Sequence, residues 1–127
     1  GSPVFKNLQQ LFAEQPKHQL VVHQWMPHNE FVELIRTMDV SCQVSFSETF
    51  NIVTADAVAQ NVPVIVSKEI PWVSRFFWAD VTSVSSQVNA IKYAILSSKI
   101  GLHILNRFNL WLYCRKSKKL WLQFCGK

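Results

Sequence analysis

Two carboxylates, Glu48 and Asp56, stand with seven residues between them in the stretch VSFSETFNIVTADAVAQNVPVIVS, residues 44–67. Apolar runs of strand character flank them at residues 40–46 and 62–66, and a small-residue helix pattern opens just after Glu48. The first N–H groups of such a helix lack intrahelical acceptors and attract anionic or hydroxyl oxygens. Glu48 in the preceding turn adds an acceptor able to take two hydroxyl groups, or it simply complements the helix dipole, worth about 0.3–1 kcal/mol. Asp56 is harder to place. Ile52, Val53, Ala55, Ala57, Val58 and Ala59 make its helix apolar nearly all round, so the carboxylate is predicted to be buried, which is costly without a partner. That partner is either a structural cation, Arg36 or Lys68, or the hydroxyls of a ligand. Along the helix axis Asp56 stands roughly 7–9 Å from the loop, far enough for the two acids to hold different parts of one extended ligand.

The elements that position these acids follow from the hydrophobic period. Residues 7–14 read as a short amphipathic helix ended by Pro16, and residues 19–25 as a strand closed by Met26-Pro27. Asn29 is expected to cap a helix through Arg36, and residues 38–46 form the next strand. Residues 47–51 are the turn, residues 52–60 the central helix, and Asn61 takes the left-handed position at its C-terminal end. Residues 62–66 lack alternation, as a strand buried on both faces does. An aromatic loop at residues 71–80 carries Trp72, Phe76, Phe77 and Trp78, and such a cluster more often belongs to a core or a domain interface than to a ligand site. Ser85 or Ser86 then caps a helix through Ile95, and residues 100–124 are expected to be helical. The alternation implies an α/β fold: a partial Rossmann-like open parallel sheet of about 3–4 strands, helices on both faces, right-handed crossovers and a C-terminal helical tail. In open parallel sheets ligands bind beyond the carboxyl ends of the strands, which is where Ser47, Glu48, Thr49, Phe50 and Asn51 fall.

At 127 residues the chain is expected to form one domain, residues 3–127, with a basic helical tail over 97–127; Gly1-Ser2 reads as a cloning scar. Hydrophobic residues at 49% against 17% charged argue for a folded protein. No secretory signal is present, and the most apolar window, residues 100–114, is too short for a bilayer, which needs about 20 apolar residues. Three cysteines without a C-x-x-C pair and four histidines without ligand spacing give no disulfide framework and no metal site. A reducing, cytoplasmic setting is expected, with a peripheral membrane association compatible with the tail.

The central motif resembles the signature of the group 1 retaining glycosyltransferases of GT-B fold. There Ser-Glu-x-Phe-Gly precedes Glu-Ala-x-Ala-x-Gly-x-Pro-Val-Val, with the same separation between the two acids. The likeness extends back through VVHQWMPHNEFVELIRTMDV and forward through residues 69–72. By that resemblance Glu48 is the catalytic-site acid that contacts and orients the donor sugar. Ser47 belongs to the same donor loop, and the N–H groups of Thr49, Phe50, Asn51 and Ile52 would hold sugar hydroxyls and the diphosphate. Asp56 would bind the ribose, and the turn at Met26, Pro27 and His28 would pack the nucleobase. No metal or other cofactor is implied; the ligand is a nucleotide-diphosphate sugar, the donor substrate. Asp replaces the family's second Glu, and Asn51 and Asn61 replace two glycines, so the donor loop is expected to differ in geometry. The family's preceding βα units and its acceptor-binding N-terminal domain would lie before Val4. The chain is therefore expected to be a fragment or shortened relative, inactive alone and partnered by that domain. Where that domain would cover the aromatic loop, the fragment is expected to self-associate. The alternative is a non-catalytic, membrane-associated scaffold derived from such an enzyme.

Charge is segregated. Residues 1–80 hold 5 basic and 8 acidic side chains, net −3, whereas residues 81–127 hold 8 basic and none acidic. In the tail Arg107, Arg115, Lys116, Lys118, Lys119 and Lys127 interleave with Phe108, Trp111, Tyr113, Trp121 and Phe124. A solvated helix face or a surface for anionic membrane explains this composition. No nucleic-acid partner is expected, because no helix-turn-helix or RNP-type pattern accompanies the charge.

Overall fold

The computed structural model describes residues 2–48 and 50–126. Five α-helices surround a small parallel sheet in the order α1 (Pro3–Ala13), α2 (His28–Arg36), β1 (Ser41–Gln43), α3 (Ile52–Ala59), β2 (Val64–Val66), a 3-10 turn (Arg75–Phe77), α4 (Val84–Ser98) and α5 (Ile104–Phe124). The chain is α/β as expected. Strands β1 and β2 pair in parallel, Ser41 opposite Val64 and Gln43 opposite Val66, with α3 as the crossover. The sheet of the described residues has two strands rather than the 3–4 expected; beside it an isolated parallel bridge joins Val66 to Trp78, where the Ala79 N–H donates to the Val66 carbonyl at 2.8 Å.

Packing centres on β2. Val64, Ile65 and Val66 are all fully buried, as the unbroken apolar run predicted. Helix α3 lies against both strands and against α2 and α5, while α4 covers β2 and the 3-10 turn. Ala57, Val58, Ile70, Val73, Phe77 and Ala94 complete the core. Burying a side chain such as Ile65 is worth about 1.5–3 kcal/mol, so this cluster holds the small sheet together.

Three local expectations are corrected. Residues 19–25 form no strand: Val21, Val22 and Trp25 are 57%, 53% and 89% exposed, and no sheet neighbour among the described residues takes up their backbone groups. A β-branched run becomes a strand only where a partner edge exists. Helix α2 begins one residue before Asn29, with Pro27 in the cap position and no side-chain cap, because proline pre-sets the extended backbone entering the helix. Helix α4 is capped by Ser83, whose hydroxyl accepts from the Ser86 N–H at 3.2 Å, rather than by Ser85 or Ser86.

The C-terminal end of α3 follows the expected device. Asn61 has φ of 58°, the Asn61 N–H donates to the Val58 carbonyl, and the Val62 N–H donates to the Ala57 carbonyl, each at 3.0 Å. That pair of bonds is a Schellman motif, which turns the chain directly into β2.

Candidate functional site

The loop from Ser45 to Asn51 leaves the carboxyl end of β1 and enters α3, and contacts at Asn51, Phe50 and Ser47 shape it. Asn51 adopts φ 59° and ψ 94°, and its side-chain oxygen accepts the Thr54 N–H at 2.8 Å. Asparagine thus supplies both the left-handed backbone of the glycine it replaces and an N-cap that glycine cannot make. The buried Trp72 donates its indole N–H to the Phe50 carbonyl at 2.8 Å. The Phe50 ring lies 5.7 Å from both the Trp72 and the Tyr113 rings. At the base of the loop the Ser47 N–H donates to the Ser45 hydroxyl at 3.4 Å. The aromatic loop therefore divides: Trp72 and Phe77 are core, whereas Phe76 and Trp78 are exposed.

Asp56 has a partner, and it is neither Arg36 nor Lys68. The His28 imidazole Nε2 lies 3.0 Å from an Asp56 carboxylate oxygen, with the two side chains 69% and 18% exposed. Asp56 is thus half-buried rather than enclosed, since Ile52 and Val53 on the same helix face solvent and α3 is covered on part of its circumference only. Arg36 instead reaches the Gln60 side-chain oxygen at 2.9 and 3.1 Å and pairs with Glu33 at 3.0 Å, fastening α2 to the end of α3. The His28–Asp56 pair sits beside open solvent, so its bond is screened.

Of the predicted site residues, the structure brings His28 and Asp56 into direct contact, and Phe50, Asn51 and Ile52 follow one another into the start of α3. Glu48 is half-buried in the same loop, Ser47 and Pro27 are exposed, and Thr49 lies outside the described residues. By helix geometry the Ile52 and Val53 N–H groups have no intrahelical acceptor. A cleft of about 490 Å³ opens beside the carboxyl ends of the strands, lined by Ser45, Phe46, Ser67, Lys68, Trp78 and Asp80, and none of the predicted site residues among those described lines it. In it Asp80 accepts from the Thr82 N–H at 2.9 Å and the Thr82 hydroxyl at 2.7 Å, and these bonds hold its carboxyl below the usual carboxylate range. Among the described residues no cluster of His, Cys, Asp and Glu is arranged to hold a metal ion.

Sequence reading missed the Trp72 tether, the Tyr113 contact and the His28–Asp56 pair. Each joins residues 22 or more positions apart, where local pattern carries no signal. A loop acid, a capped helix start at the end of a parallel strand and a second, half-buried acid on that helix fall together at the carboxyl edge of the sheet of this α/β protein, the edge at which open parallel sheets bind ligands.

The family described as Glycosyl transferases group 1 matches residues 1–99, and the chain belongs to it. No curated protein and no solved structure matches the chain. Helix α5 falls outside the matched residues.

Proposed function

We propose that this chain forms the donor side of a glycosyltransferase, binding a nucleotide-diphosphate sugar for transfer with retention of configuration. The observation that carries the reading is the His28–Asp56 contact. It unites on one surface the turn assigned to the nucleobase and the acid assigned to the ribose, 28 positions apart in sequence. In this reading the ribose hydroxyls take over the Asp56 oxygens, and the nucleobase packs on Pro27 and His28. The N–H groups of Phe50, Asn51 and Ile52 face the diphosphate and sugar, stabilising negative charge as it develops on the leaving group. Glu48 orients the sugar through its hydroxyls, and Ser47 completes the loop. An acceptor-binding domain is the partner the complete reaction needs.

The scaffold alternative rests on asparagine at two glycine positions and on the missing strands. Both asparagines have positive φ, which makes the first of these compatible with the donor reading as well. Calorimetric titration with UDP- and GDP-sugars tests the donor reading. An ionised carboxylate that accepts ligand hydroxyls contributes about 1.5–3 kcal/mol, so Asp56→Ala is expected to weaken binding roughly 10- to 150-fold. Equal affinity of wild type and Asp56→Ala, or no binding of either nucleotide sugar, rejects the reading.

A further inference from the structure

Helix α5 lies outside the family match, and beyond the Tyr113 contact with Phe50 its distal half is exposed. Every described residue from 111 to 126 is exposed, including Trp111 at 53%, Trp121 at 65% and Phe124 at 82%. With about 3.6 residues per turn, Tyr113, Leu120, Trp121 and Phe124 share one side, and Arg115, Lys116, Lys118 and Lys119 spread over the rest of the circumference together with Trp111, Leu112 and Leu122. The rings are paired along the helix: Phe108 with Trp111 at 6.0 Å, Trp121 with Phe124 at 5.7 Å, and the Arg115 guanidinium 5.3 Å from the Trp111 ring. Beside the helix runs a groove of about 490 Å³ between α5 and the loop around Arg75, walled by Trp72, Trp78 and Tyr113, with Arg75 and Lys116 among its lining residues. Among the described residues neither cation has a carboxylate partner.

We propose that the distal half of α5 and the Arg75–Lys116 groove dock on an anionic lipid surface, with the aromatic side entering the interface and the groove taking a phosphate-bearing headgroup. Charge selects this occupant. Residues 81–127 carry 8 basic and no acidic side chains, so a second copy presenting the same helix meets like charge. A protein partner fits poorly as well, because interface cores are depleted in lysine. Tryptophan and phenylalanine favour the headgroup boundary, and lysine and arginine stems reach back from it to the headgroups. No helix among the described residues is long and apolar enough to cross the membrane, so contact is with its surface. At about fivefold per basic residue near such a surface, Arg115, Lys116, Lys118 and Lys119 together raise partitioning by two to three orders of magnitude.

Co-sedimentation of the 127-residue chain with vesicles of neutral phosphatidylcholine, alone or mixed with phosphatidylserine, provides the test. Expected are binding to the anionic vesicles that falls steeply with added salt, its loss in the quadruple alanine variant at Arg115, Lys116, Lys118 and Lys119, and weakening in Trp121→Ala and in Arg75→Ala. All of these positions are exposed, and circular dichroism confirms folding of each variant. Equal binding to neutral and anionic vesicles, indifference to the quadruple substitution, or salt-sensitive binding of a single-stranded oligonucleotide with inert vesicles overturns the proposal. So does a dimer in solution that Trp121→Ala abolishes. Nucleotide-sugar titration of the same samples separates this outcome from the donor reading, which stands or falls independently.

Discussion

Replacing Asn51 by alanine removes two contributions that the structure locates separately. The first is the N-cap: Asn51 Oδ1 accepts the Thr54 N–H at 2.8 Å, and a cap lost to alanine costs about 1 kcal/mol. The second is backbone strain. At φ 59° and ψ 94° alanine meets the Cβ clash that asparagine partly offsets, for about 1 kcal/mol more. The sum is about 2 kcal/mol, which for a domain of this size lowers Tm by roughly 6–12 °C. Asn61 provides the control. It shares the positive φ and makes only an exposed bond, accepting from Arg107 at 3.2 Å, so Asn61→Ala is expected to cost about half as much. Asn51→Gly relieves the strain and sacrifices little of the cap, so it should lie within about 0.5 kcal/mol of wild type. Urea unfolding of the three variants at constant m reads these values directly. Asn61→Ala as damaging as Asn51→Ala refutes the capping contribution, and Asn51→Gly as damaging as Asn51→Ala refutes the strain.

Other perturbations have equally definite outcomes. Trp72→Phe keeps an aromatic ring, gives up part of the buried indole and orphans the part-buried Phe50 carbonyl, and the orphaned acceptor alone is expected to cost about 1–3 kcal/mol; an unchanged urea midpoint contradicts that tether. Ile65→Ala, at the fully buried centre of β2, is expected to lose about 2–5 kcal/mol, whereas Cys42→Ala on the exposed side of β1 stays near wild type by the same assay. Asp80 is held below the usual carboxylate range by Thr82, so its stabilising contribution is present above the unfolded-state pKa and lost as pH falls through the lower folded-state value. Wild type should therefore lose stability in acid more steeply than Asp80→Asn, and parallel pH profiles of the two proteins refute that linkage.

The central βαβ unit was legible because its signals are local. The unbroken apolar run at residues 62–66, the asparagine after α3 and the small-residue helix each specify conformation within a few positions, and all three are realised. The strand expected at residues 19–25 failed for the opposite reason. Alternation and β-branching say that a segment suits a sheet, but only a neighbouring edge makes it a strand. Asp56 illustrates a subtler limit. Its apolar neighbours indicated burial, yet the covered arc of a helix depends on which elements reach it, and α2 delivers His28 to the open side. The histidine was assigned to a turn and the carboxylate to a helix, and nothing in residue spacing joined them.

The loop between β1 and α3 is held from two directions that differ in strength. Trp72, within the family-matched region, contributes a 2.8 Å hydrogen bond and a buried indole; Tyr113, beyond it, contributes one stacked ring that is itself 37% exposed. A buried hydrogen-bond partner is worth about 1–3 kcal/mol when removed, against about 0.5–1.5 kcal/mol for an aromatic pair. Trp72 therefore sets the course of the loop, and Tyr113 trims it. Because Tyr113 rises from the same helix that carries the basic surface, the segment outside the family match touches the site through Phe50 while leaving the backbone that Asn51 and Trp72 impose in place.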